Sequence, residues 1–309
     1  MTIEKVVEVL NSSPDDIDEK AFELIQLYHR ADSPEQREEL AHEVVDKLAY
    51  LIFTLPFFLT DNAKLFRGRL IGSMNQLFYA KDRLLYPPDK DNIKLGRANA
   101  EGEQILYACL DNPITIYSEL SCEEESTLNL LTFKAKEGEK IIVAPIGQID
   151  HIRRYGKAYL APDEYTNLLR DILDKLSSPV RLAAYLADAF FADEFSKPDP
   201  KFDNEETDYS QYYITSLIAK EMMQSGNTPD GIIYPSVKLA GGYNVALTPD
   251  AFHSKCELTG FEGHFITKNL GYGMMTVHTY AHGTIIDDED GRLRWQWEVQ
   301  KYANAKTFL

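Results

Sequence analysis

Up to about residue 55 the apolar positions recur at helical spacing, with Ile17, Ala21, Leu24 and Tyr28 on one helix face. SPEQREELAHEVVDKLAYLIFTL predicts a further helix. Ser33 precedes Pro34 at the first helical position and stands three residues before Gln36, the pattern of a capped start. LAYLIFTLPFFLT, residues 48–60, is interrupted by Pro56 and too short to cross a bilayer. It reads as a buried helix end running into an extended segment. From Lys64 the pattern changes. KLFRGRLI and NQLFYAKDRLLYPP are short, aromatic and punctuated by Gly and Pro, as strands or irregular segments are. QILYACL and EKIIVAPI predict strands. Between them, NPITIYSEL predicts a short helix with Asn112 as cap, Pro113 in the first turn and Glu119 about two turns in.

Residues 161–195 predict two helices divided at Ser177, Ser178 and Pro179. FSKPDPKFDNEETD reads as a polar loop. The next helix, YSQYYITSLIAKEMMQSG, carries Leu217, Ile218 and Met222 on one face, with Gly226 where a cap belongs. DGIIYPSVKLAGGYNVALTP turns back to strand. The tail alternates short strands and turns, with DDEDGRL (287–293) as an acidic hairpin turn and RWQWEVQKY as the last strand. The predicted class is α+β, with a helical N-terminal region over residues 1–60 and a mixed domain over 61–309.

Composition narrows the function classes. Of 309 residues, 49 are acidic and 32 basic, for a formal net charge of −17. Such a field repels phosphate backbones, so nucleic-acid binding is not expected, while a small anion held by local arginines is compatible with it. Cys109, Cys122 and Cys256 are scattered without a CxxC pair, which argues against a zinc ribbon or disulfide framework and for a reducing cytoplasm. The N-terminus lacks the basic start and apolar run of a secretory signal, and no membrane association is expected.

Against that acidic background, LGRANAEGEQILYACL places Arg97, Asn99 and Gly102 in one turn. A guanidinium grips phosphate with two prongs, and a tight turn can present backbone N–H groups to an anion. LFRGRLI adds Arg67 and Arg69, and DGIIYPSV ends a strand on Ser236. Taken alone, Arg97 also fits a surface ion pair and Glu119 a solvent-facing helix position.

The order FRGR, LGRANAEGEQILYACL, NPITIYSEL and DGIIYPSVKLAGGYNVAL resembles the RES domain, the toxin of RES–Xre toxin–antitoxin pairs. The resemblance covers roughly 110 residues in three blocks. It implies an ADP-ribosyltransferase-like fold, with a bent antiparallel β core, and degradation of NAD⁺ as substrate without a further cofactor. The helical N-terminal region and a helical insertion at about 150–205 are additions to the compact members. Matched by motif, Arg67, Arg97, Tyr107 and Ser236 are the implied NAD-binding residues, and Glu119, Ser236 and Tyr107 the implied catalytic set. Tyr79 and Tyr86 are placed by no motif. The implied partners are NAD⁺ and a separately encoded Xre-like antitoxin. The implied reaction is glycohydrolysis or phosphorolysis of NAD⁺, with protein ADP-ribosylation as the variant. A non-catalytic scaffold is the contrasting reading.

Other patterns point less far. His278 and His282 are four apart, but Thr279 stands where HExxH needs Glu, and the surroundings read as strand, so no metal is expected. KLAGGYN lacks both GxGxxG and the Walker lysine. Trp295 and Trp297 share one strand face, for which core packing is the expectation.

Overall fold

A computed structural model describes residues 3–53, 55–87, 89–160, 162–198, 210–224, 228–287, 291–298 and 306–308. Residues 199–208 of the predicted polar loop, Gly226 and residues 288–290 of the predicted acidic turn lie outside them. In chain order the elements begin α1 (Ile3–Asn11), α2 (Ile17–His29), α3 (Pro34–Ala49), β1 (Phe57–Leu59), β2 (Leu65–Ile71), β3 (Leu106–Leu110) and α4 (Pro113–Glu119). They continue β4 (Thr127–Ala135), β5 (Ile141–Pro145), α5 (Gln148–Tyr155), α6 (Asp163–Lys175), α7 (Ser178–Ser196) and α8 (Ser210–Gln224). The chain then forms β6 (Gly231–Pro235), β7 (Tyr243–Leu247), α9 (Pro249–Lys255), β8 (Cys256–Gly271), β9 (Met274–Asp287), β10 (Arg292–Trp297) and β11 (Lys306–Phe308). The class is α+β. No helix among the described residues is long and apolar enough to cross a membrane.

Two compact units divide the chain. The first comprises Met1–Phe57, Lys94–Glu101 and Val143–Tyr234; the second comprises Phe58–Ile93, Gly102–Ile142 and Pro235–Leu309. The first unit is mainly helical. Ile17, Ala21, Leu24 and Tyr28 are all buried on α2, which packs on α7, while α3 packs on α8. The sequence reading divides the chain near residue 60. The packing instead groups the N-terminal helices with those of 148–224, because the apolar face of each set is covered by the other. At the start of α3, Ser33 Oγ accepts the Gln36 N–H at 3.2 Å, and Gln36 Oε1 accepts the N–H of Asp32 at 2.9 Å. Asp188 on α7 caps a different helix: its carboxylate accepts the N–H groups of Gly147 (3.1 Å) and Asp150 (2.7 Å) at the start of α5. Strands β5 and β6 pair in parallel, Val143 to Pro145 beside Gly231 to Ile233.

The second unit is an antiparallel sheet in the order β7-β3-β2-β4-β8-β9-β10, with β11 paired to β9. Helix α4 lies on β2 and β3 and closes a core with Phe66, Cys109, Leu128, Leu130 and Ile266. Gly68 permits that approach: a Cβ there would stand 2.6 Å from Ile116 Cγ2 and 2.8 Å from Leu120 Cδ1. Two expectations change. RWQWEVQKY is not the last strand, since β11 follows it. Trp295 is buried and donates its Nε1–H to Phe78 O at 2.8 Å, but Trp297 is 48% exposed, so only one of the pair is core.

Candidate functional site

Helix α4 carries Glu119 as its last residue, and both of its ends are tightly turned. Asn112 Oδ1 accepts the Ile114 N–H at 3.0 Å, with Pro113 in the first turn. Asp111 and Ser121, just outside the two ends, have φ of 56° and 51°. Non-glycine residues hold that left-handed backbone at a cost of about 1–3 kcal/mol each, and such positions gather at functional sites. Between these turns Tyr117 is fully buried and its hydroxyl meets His264 Nδ1 at 2.8 Å, fixing the helix to β8.

Ser236 reaches Glu119 from the loop after β6. That loop closes on itself: Ser236 N–H donates to Gly242 O (2.8 Å), and Ser236 Oγ accepts the N–H groups of Lys238 (3.2 Å) and Leu239 (3.0 Å). The paired glycines of KLAGGYN are needed here. Gly241 has φ 81°, and a Cβ on Gly242 would stand 2.8 Å from the Thr115 side chain on α4. With its own acceptor capacity filled by backbone, the Ser236 hydroxyl donates to Glu119 Oε1 at 2.6 Å.

A second donor meets the same oxygen. Asn244 Nδ2 lies 2.7 Å from Glu119 Oε1, and Asn244 Oδ1 accepts the Cys109 thiol at 3.1 Å. Cys109 and Asn244 are register partners on β3 and β7, so their side chains rise on one face, beneath α4. Lys238 Nζ donates to Glu119 O (3.0 Å) and Ser121 Oγ (3.1 Å), setting positive charge at the negative end of the helix. Glu119 Oε1 therefore has two donors, while Oε2 accepts no hydrogen bond among the described residues. Asn244, Lys238 and Cys109 carry no motif. Their signals in sequence are faint: an Asn inside an apolar strand, a Lys two residues after Ser236 and a Cys within LYACL.

Strands β2 and β3 pair only at Leu65–Leu110 and Phe66–Cys109, then part. Arg67 sits at that fork. Its Nε donates to Leu84 O at 2.9 Å and also to Leu85 O, and its NH1 donates to Tyr107 O at 2.8 Å. Burial, with Arg69 nearby, pulls its guanidinium down to about 10. Tyr107 shares a strand face with Cys109, the face beneath α4. The Cys109 thiol is pushed well up by burial and by Glu119, and Arg67 pulls the other way, so carboxylate and guanidinium both act on one buried sulfur.

The second unit thus brings Glu119 and Ser236 into direct contact and holds Arg67 against the Tyr107 backbone. Arg97 belongs to the first unit. It is buried there, donating to Phe195 O and Lys197 O at 3.0 Å each, with the Tyr212 ring 5.6 Å away. Asn99 Nδ2 closes the neighbouring turn on Lys94 O and Ala100 O. His282 on β9 pairs with Glu298 at 2.7 Å, and the described residues contain no group of three or more His, Cys, Asp or Glu suited to a metal. No family model, curated protein or solved structure matches the chain.

Proposed function

We propose that the chain cleaves the nicotinamide–ribose bond of NAD⁺ as a RES-like, ADP-ribosyltransferase-like enzyme. The observation that carries this reading is the half-occupied carboxylate of Glu119. Ser236 and Asn244 hold Oε1, and Oε2 accepts no hydrogen bond among the described residues.

The chemistry suits that arrangement. Nicotinamide leaves as a neutral group from a cationic nitrogen, so the departing group needs no strong acid. The ribose left behind is oxocarbenium-like, as in glycoside hydrolysis. A fixed carboxylate stabilises that positive charge and can hold a ribose hydroxyl, without reorganising as the charge develops. Ser236 and Asn244 are the donors that keep Glu119 aimed. Tyr107, on the same strand face as Cys109, walls the nicotinamide side. Arg67, at the parting of β2 and β3, supplies the charge nearest the pyrophosphate. Water, phosphate or a protein side chain takes the ribosyl group.

The test is to incubate purified protein with NAD⁺, with and without phosphate, and to follow nicotinamide by chromatography. Glu119→Gln keeps the shape and loses the charge. It is expected to lower turnover by about 10²-fold or more while NAD⁺ still binds. Equal turnover in the two proteins would remove Glu119 from the mechanism. The co-product, ADP-ribose or its 1″-phosphate, identifies the acceptor.

A further inference from the structure

Helices α2 and α3 are joined by four residues and lie side by side in the first unit. An apolar groove of about 440 Å³ runs between them. Ile17, Ala21, Leu24 and Leu48 are buried at its floor. Leu27, near the end of α2, and Tyr50, just past α3, stand at its sides, 54% and 48% exposed. Single exposed apolar residues need no explanation, but two large ones flanking one groove mark a surface shaped for a partner. From Ile17 to Leu27 the groove follows α2 for about 15 Å, the length of roughly two to three helical turns. An amphipathic helix laid there would meet α2 and α3 as a third helix, with its apolar stripe on the groove.

Charge decides which kind of helix. Residues 3–49 hold 13 acidic and five basic side chains, a local charge of −8 out of −17 for the whole chain. Two of the basic ones line the groove, and each is paired along its own helix: Lys20 with Asp16 at 2.9 Å, and Lys47 with Glu43. Glu23 lines the α2 side. Glu43 also lines a cleft of about 360 Å³ on the other flank of α3, with Asp46 and, from α8, Glu221. Asp16, Lys20 and Glu23 leave α2 one negative charge in excess, and Glu43, Asp46 and Lys47 leave α3 the same. An apolar floor edged by net negative charge repels a second copy of this helix pair, an anionic lipid surface and a nucleic acid, and attracts a cationic helix.

We propose that the α2–α3 groove is the docking site for a lysine- or arginine-rich amphipathic helix of a partner protein. The groove lies in the first unit, and the proposal does not rest on the NAD⁺ reading.

The probe is a synthetic helix of about four turns, with leucine along one face and lysine on the other. Its control carries glutamate in place of lysine. Fluorescence anisotropy with the full chain at low salt is expected to show saturable binding of the lysine helix, weakened by added salt, and no binding of the glutamate helix. Leu27→Ser and Tyr50→Ser are each expected to weaken binding about tenfold, because each removes an apolar anchor. Both side chains are about half exposed, so both variants are expected to fold, which circular dichroism checks. A lysine helix that fails to bind wild type would overturn the proposal. So would one that binds the two folded serine variants as tightly as wild type, since the attraction would then be charge without a groove. Sedimentation of wild type as a dimer that Leu27→Ser separates would assign the groove to a second copy and overturn the proposal equally.

Discussion

At the residue scale the site turns on one oxygen. Ser236 and Asn244 both donate to Glu119 Oε1, and Cys109 in turn steadies Asn244. A carboxylate gripped on one side keeps its direction, and direction is what a developing cation requires. Asn244→Asp tests whether the grip matters. It would set two carboxyls 2.7 Å apart, and like charges at that distance share a proton. The acid limb of the pH–rate profile for nicotinamide release is expected to move up by roughly a unit or more, with turnover at neutral pH reduced. A limb that stays in place would detach Asn244 from Glu119. Arg97 is instructive in a different way. Its guanidinium is engaged by the Phe195 and Lys197 carbonyls, and an Arg in a GR pair looks the same in sequence whether it holds a ligand or a backbone.

At the element scale the placement of α4 depends on the absence of side chains beneath it. Gly68 on β2 and Gly242 in the loop after β6 both touch it at distances no Cβ could occupy. Gly68→Ala is therefore expected to destabilise by about 1–3 kcal/mol in urea denaturation, the usual penalty for overpacking. It should also lower turnover, since the displaced helix carries Glu119. Gly260→Ala is the matched comparison, because its added Cβ would meet nothing nearer than 3.7 Å. Equal stability of the two variants would mean that α4 is not held by close approach at Gly68. The glycines of FRGR and KLAGGYN are legible in sequence only as glycines. What they make room for lies elsewhere in the chain.

At the scale of the whole molecule, Asp188 ties stability to pH. Burial raises its carboxyl to about 6 against the pull of the Asp150 and Gly147 N–H groups. A carboxyl raised in the folded state contributes stability that is full below its ordinary pKa of 3.8 and lost as pH rises through about 6. Relative to Asp188→Asn, the wild-type unfolding free energy should fall by on the order of 3 kcal/mol between about pH 4 and pH 7. Denaturant titrations across that range measure it, and a difference between the two proteins that does not change with pH would refute the assignment. The effect belongs to the first unit, where α5 and α7 meet.

The sequence by itself determined what short-range physics controls. Helical periodicity placed α2 and α8, Ser33 and Pro34 opened α3, and the Ser177–Pro179 break separated α6 from α7. Asn112 and Pro113 marked the start of α4, and the α+β class followed from the change of pattern at Lys64. Caps and periodicity act within a few residues, so a linear reading reaches them. Only the tertiary structure decided that Asn244, 125 residues away, is the second donor to Glu119, and that the N-terminal helices share a unit with residues 143–234. It also decided that Arg67 and Arg97 belong to different units. These outcomes depend on strand register and on which apolar faces cover one another. Both are set by burial summed over the whole chain, which no local spacing records.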